Sequence, residues 1–213
     1  MSPAATPPKL LIQGPGGASP TLILAHGAGS GMDSPFLQAM TDGLVERGLT
    51  VVRFEFPYMA ERRATGARRP PNREPQLRDT WLDVIDSLAL HKPIIGGKSM
   101  GGRIASLIAD EADVSGLVCL GYPFHPAGKP HKLRTEHLRF LETPTLIVQG
   151  ERDALGNKRD VAGYNLSSRI RLHWLPDGDH HFTPRRRADR TQEENWSDAV
   201  RVTAEFIRLL KNQ

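Results

Sequence analysis

Residues from three distant parts of the chain could act together as a nucleophile, a base and an acid. Ser99 lies in Gly97-Lys98-Ser99-Met100-Gly101, a G-x-S-x-G run between the apolar stretch Pro93-Ile94-Ile95-Gly96 and a helical pattern carrying Ile104, Leu107 and Ile108 on one face. A serine between strand and helix sits on a sharp, strained turn, and small flanking residues let the two elements approach. The run by itself is a weak signal; its partners must come from elsewhere. A serine hydroxyl is a poor nucleophile at neutral pH unless a base takes its proton, and the base needs a carboxylate to fix its tautomer. The acid candidate is Asp153, in Glu151-Arg152-Asp153 directly after the apolar run Thr145 to Gly150. The base candidates are His180 and His181, in the loop that follows Ile170 to Leu175.

Each of these residues has a plainer reading. Asp153 could cap the helix that follows it, and Glu151 is a lower-ranked acid in the same loop. Of the paired histidines, Asp179-His180 is the more usual arrangement for a base, which leaves His181 at the rim. Acyl transfer also needs backbone N–H groups aimed at the developing oxyanion. Met100, directly after the nucleophile, offers one; His26-Gly27-Ala28-Gly29 offers the other, with Ala28 first and Gly29 as the alternative. His26, Gly27, Gly29 and Lys98 are further candidates to touch substrate. His26 is read as shaping that loop, while His125 and His173 are read as structural. Lys98 is read first as folding onto the surface and second as meeting an anionic group on the substrate.

The elements that must hold these loops follow from periodicity. Thr21 to Ala25, Val51 to Phe56, Gly116 to Leu120 and Thr145 to Gly150 are continuous apolar runs, the signature of strands buried on both faces of a parallel sheet. Helical patterns lie between them. Ser34 followed by Pro35 reads as an N-cap with proline at the first helical position, and Gly48 as the stop. Strands alternating with helices predict an α/β fold, a mostly parallel sheet with helices on both faces and no large lid domain. Every chemically suggestive loop then falls at the carboxyl end of a strand, where such sheets bind ligands. Pro57 reads as closing the strand before it, and Tyr58 to Pro75, rich in arginine and proline, reads as a long mobile loop rimming the site. Asn157 to Leu166 reads as a short helix.

With 213 residues the chain is expected to be a single domain over 1–213, with 1–8 flexible. One cysteine, Cys119, lies in an apolar strand; it excludes an intramolecular disulfide and fits a reducing compartment. No secretory h-region or membrane-length apolar run occurs, so a cytoplasmic protein that makes no membrane contact is expected. The formal charge of +4 is concentrated around Arg62 to Arg73 and at Arg185-Arg186-Arg187. That leaves room for an anionic substrate, but without zinc-ligand spacing or aromatic-interleaved basic strands a nucleic-acid partner is not expected.

Taken together, His26-Gly27-Ala28-Gly29, Gly97-Lys98-Ser99-Met100-Gly101-Gly102, Gly150-Glu151-Arg152-Asp153 and Gly178-Asp179-His180 resemble the α/β-hydrolase superfamily, in its chain order of Ser, Asp, His. The pair HGAGSGMDSPF and GGKSMGGRIAS is similar to a dienelactone-hydrolase-like branch that includes the testis-expressed protein 30 type and the hydrolase-like domain of a chromatin-complex subunit. The resemblance implies an eight-stranded sheet and cofactor-free hydrolysis of an ester, thioester or related bond. It implies Ser99 as nucleophile, His180 as base, Asp153 as acid, and Ala28 and Met100 as oxyanion donors, with no metal. Dienelactone hydrolases often carry cysteine where this chain has Ser99, which argues against dienelactone as substrate. The expectation is a serine hydrolase for a small acyl ester or thioester; the alternative is a non-catalytic module of the same fold that binds partners through its basic loops.

Overall fold

The computed structural model describes residues 8–17 and 19–211; the segment expected to be flexible, 1–8, lies outside them except for Pro8. Seven strands form one sheet: β1 (Leu10–Gln13), β2 (Thr21–Ala25), β3 (Thr50–Phe54), β4 (Ile94–Lys98), β5 (Gly116–Leu120), β6 (Thr145–Gly150) and β7 (Ile170–Leu175), in the order β1-β3-β2-β4-β5-β6-β7. The superfamily resemblance implied eight strands; the described residues form seven. Only β1 runs antiparallel to its neighbour. The helices are α1 (Pro35–Val45), α2 (Pro57–Thr65), α3 (Glu74–Leu88), α4 (Met100–Ile108), α5 (Lys158–Val161) and α6 (Gln192–Leu210).

Strand alternation divides the interior into two layers. Ile23 and Ala25 of β2 join Phe54, Trp81, Ile95, Ile104 and Ile108 on the α3–α4 face. Leu22 and Leu24 of the same strand join Leu37, Met40, Val118, Val148 and Phe206 on the α1–α6 face. Covered on both sides, β2 through β6 have no solvent face, which is why their sequences read as unbroken apolar runs. The cap expected for α1 is present: Ser34 accepts from the Leu37 amide at 3.4 Å, with Pro35 at the first position.

Two expectations need correction. Tyr58 to Pro75 is not a loop throughout, because Pro57 opens α2 instead of closing a strand, and Gly66 at φ 76° ends it. Proline suits the first helical turn as well as a strand end, and the buried Tyr58 and Met59 decide between them by packing inward. The helix expected over Asn157 to Leu166 is shorter, Lys158–Val161.

The chain passes from β2 to β3 on one side and then to β4 on the other. The carboxyl ends of β2 and β4 therefore flank the topological switch point, the crevice where open α/β sheets bind ligands. Ala25 pairs with Gly97 across that crevice. The loop after β2 and the serine after β4 are thus neighbours by topology alone.

Candidate active site

Ser99 stands between β4 and α4 with φ 51° and ψ −115°. A non-glycine residue there carries backbone strain on the order of 1–3 kcal/mol, and the turn keeps it by bonding both its sides. The Ser99 amide donates to the Leu120 carbonyl at 3.0 Å, and its carbonyl accepts from Arg103 at 2.9 Å. The turn lifts the hydroxyl above the sheet. There Ser99 Oγ lies 2.9 Å from His180 Nε2, and His180 Nδ1 lies 2.7 Å from Asp153 Oδ2. A carboxylate only accepts, so Nδ1 carries the proton and Nε2 presents its lone pair to the serine.

Asp153 is fully buried and surrounded by donors. Oδ2 also accepts from Gln149 Nε2 at 2.9 Å, and Oδ1 accepts from the Leu155 amide at 2.8 Å. It does not cap α5; Asn157 does, accepting from the amides of Arg159 and Asp160. Glu151 turns away to Lys158 Nζ at 2.8 Å and the Asp177 amide at 3.1 Å. His181 lies edge-on to His180 at 5.7 Å and forms part of the cavity wall; burial holds its pKa below the ordinary value.

The loop Gly27 to Ser34 is held through its carbonyls by side chains that do not line the Ser99 cavity. His26 is buried, which lowers its pKa and keeps it neutral. Its Nε2 accepts from the Phe56 amide at 3.1 Å, so Nδ1 carries the proton and donates to the Gly27 carbonyl at 2.7 Å. The Tyr58 hydroxyl donates to the Ala28 carbonyl at 3.0 Å, and burial raises its pKa so that it stays a donor. At the far end Arg53, buried in β3, donates to the Met32 carbonyl at 3.0 Å, and buried Glu55 accepts from the Met32 amide at 3.3 Å. Met100 is the first residue of α4, so its amide, next in the chain after Ser99, has no intrahelical acceptor. Gly27 and Ala28 line the same cavity as Ser99.

Sequence reasoning missed Tyr58 and Gln149. Gln149 carried a signal, being a polar residue inside an otherwise apolar strand. Tyr58 carried none, because its partners lie 30 residues earlier. Tyr58→Phe is expected to lower kcat/KM about tenfold with little change in melting temperature, since it frees the carbonyl that orients the loop amides. Steady-state rates beside a thermal melt check this.

Above Ser99 opens a cavity of about 620 Å³. One wall is apolar: Phe36 meets Trp196 edge-on at 5.5 Å. Trp196 Nε1 donates to the His181 carbonyl at 3.1 Å, and Gln192 Nε2 to Thr183 Oγ1 at 2.6 Å, tying α6 to the loop that carries His180. No residue from 58 to 75 lines this cavity, contrary to the rim expected of that segment. Its members touch the cavity wall only from outside the cavity lining, Tyr58 at the Ala28 carbonyl and Arg62 at the Gly29 carbonyl, 3.5 Å away. Lys98 is not on the surface either; it is 7 % exposed. Among the described residues no three His, Cys, Asp or Glu side chains converge as a metal site, and no helix is long and apolar enough to cross a membrane.

Comparison with known structures returns the same fold. A dienelactone hydrolase from Anabaena variabilis superimposes with a TM-score of 0.70 at 20% identity, covering 96% of this chain and 99% of that one. A serine hydrolase homologue from Coxiella burnetii gives 0.65 at 20% identity, covering 94% and 90%. A thermophilic esterase from Thermogutta terrifontis gives 0.70 at 16% identity, covering 95% and 93%. The family model described as an alpha/beta hydrolase domain matches residues 18–208. With the sheet order, the strand-end loops and this match in agreement, the chain belongs to the alpha/beta hydrolase domain family.

Proposed function

We propose that the protein is a serine hydrolase that cleaves a small acyl ester or thioester through an acyl-enzyme on Ser99. The observation that carries this reading is the unbroken hydrogen-bond chain Ser99–His180–Asp153 at the floor of an open cavity. His180 Nε2 takes the Ser99 proton as Oγ attacks the acyl carbon. Asp153 holds the ring and stabilises the imidazolium without itself being protonated. The negative charge that forms on the carbonyl oxygen is taken up by the amides of Met100 and Ala28, worth roughly 3–4 kcal/mol for each donor in such sites. His180 then returns its proton to the leaving alcohol or thiol. A water activated by the same imidazole releases the acid and restores Ser99.

The apolar wall of Phe36 and Trp196 suits a small acyl or alcohol group, and the hydrolase and esterase neighbours share the fold on which such sites are built. The HGAGSGMDSPF and GGKSMGGRIAS motifs add the dienelactone-hydrolase-like branch as the nearer kinship. The same reading takes 1–213 as one catalytic domain working in the cytoplasm, where the buried Cys119 stays a thiol.

The test is covalent labelling with a fluorophosphonate probe, followed by mass mapping of the adduct. One adduct on the peptide carrying Ser99, blocked by prior incubation with a small activated ester, is the expected result. An unlabelled protein, or an adduct elsewhere, overturns the reading.

A further inference from the structure

Lys98 ends β4 immediately before Ser99 and lines the cavity above it, yet it is almost wholly buried and pairs with no carboxylate. Its one side-chain hydrogen bond among the described residues is donated to the His180 carbonyl at 2.6 Å. Its Nζ also lies 5.6 Å from the Phe36 ring centroid and 5.5 Å from that of Phe182. The backbone across from it is bare. A Cβ on Gly121, which has φ +69°, would stand 2.7 Å from Nζ and 3.2 Å from the His180 carbonyl oxygen. Taking a cation out of water costs several kcal/mol, and one carbonyl with two ring faces does not return it. An apolar chain of equal length would pack there at lower cost. The contact therefore serves something other than stability, and what it joins is the strand carrying Ser99 to the loop carrying His180.

We propose that Lys98 is a positioning residue that holds the base: its ammonium fixes the His180 backbone so that the imidazole reaches Ser99 and Asp153 at once. The inference rests on the reading of Ser99 and His180 as nucleophile and base. A charged donor holds a carbonyl about twice as strongly as a neutral one, so the clamp works while Lys98 is protonated. The charges facing it are Asp153 from the loop after β6, with Asp179, His180 and His181 from the loop after β7; Phe36 of α1 and Gly121 after β5 bring none. Burial lowers its pKa to about 8, against the attraction of Asp153 and Asp179.

The experiment follows the fluorophosphonate labelling rate of wild type, Lys98→Met and Lys98→Gln from about pH 6 to about pH 10. The wild-type rate should fall as pH passes about 8. Lys98→Met should be about 10–100-fold slower at neutral pH and lack the fall. Lys98→Gln, with a neutral donor, should lie between them. Stability should move the other way. The native state releases this proton near pH 8 and the unfolded chain near 10.5. The cost of the buried charge is thus full below about pH 8 and gone above about pH 10.5. Lys98→Met should melt at or above the wild-type temperature at neutral pH, the gap closing across that window.

Labelling of Lys98→Met within twofold of wild type, or a wild-type rate flat to about pH 10, overturns the clamp alone. Slow labelling joined to a lower melting temperature overturns it too, since that is what a merely structural lysine gives. Absence of any label on wild-type Ser99 overturns the reading beneath it as well. Where Lys98→Met does not fold, the wild-type profile decides.

Discussion

Ser99→Ala and His180→Ala should each lower kcat/KM for a small activated ester by roughly 10^5–10^6, and the double variant should be no slower than either alone. The non-additivity is the informative part. Ser99 Oγ and His180 Nε2 share one hydrogen bond, 2.9 Å long, so removing either end removes the same proton transfer. Asp153→Asn should cost about 10^4 by a different route. Both oxygens of Asp153 face only donors: His180 Nδ1 and Gln149 Nε2 at Oδ2, the Leu155 amide at Oδ1. Whichever position the new amide nitrogen takes, an N–H meets an N–H. Turned toward His180, it forces the proton onto Nε2 and leaves Ser99 without a base. Turned toward Leu155, it strains the loop and orphans a buried donor, at about 1–3 kcal/mol. The variant should therefore lose both rate and melting temperature. A loss below tenfold in rate for any of the three would remove Ser99–His180–Asp153 from the chemistry.

Gly101→Ala should be the most damaging conservative change outside the triad. A Cβ at this position would stand 2.6 Å from the Ala25 carbonyl oxygen and 2.6 Å from that of His26. Both obstacles are backbone at the end of β2, one of the two strands flanking the crevice, so neither can turn aside. Helix α4 would have to lift away from β2, carrying the Met100 amide with it. Overpacking of this kind costs about 2–4 kcal/mol, which in a chain of this length lowers the melting temperature by roughly 5–15 °C. Labelling of Ser99 should slow in parallel, because the displaced amide no longer meets the oxyanion. An unchanged melt would show that α4 is not seated on β2 as described.

Much of this architecture was legible in the sequence because it depends on local pattern. Unbroken apolar runs such as Leu22 to Ala25 can be satisfied only by a strand covered on both faces, and Ser34-Pro35 announces a helix start through its own geometry. The placement of Ser99, Asp153 and His180 at strand ends followed from alternating strands and helices, without knowledge of any contact. Pro57 was misread because a proline closes a strand and opens a helix equally well; the inward packing of Tyr58 and Met59 decided it. Tyr58 to Pro75, with its arginines, is expected at the cavity because charge and loop length are visible in a sequence and direction is not.

The sequence by itself determined the strands, the order of the reactive loops and the chemical types available in each. It also narrowed the candidate acid to one loop and the candidate base to adjacent histidines. Only the tertiary structure decided which of those side chains meet: that His180 and not His181 reaches Ser99, and that Asp153 turns inward while Glu151 turns to Lys158. It alone decided the fate of Lys98. A lysine's hydropathy places it in water, and nothing within several residues says otherwise. The carboxyl end of β4 runs beneath the loop that carries His180, and there its acceptor is a carbonyl 82 residues away. Local pattern sets how a chain segment bends and which face it buries. The partner of a polar group is set by where distant segments cross, and in this protein those crossings assemble the site around Ser99.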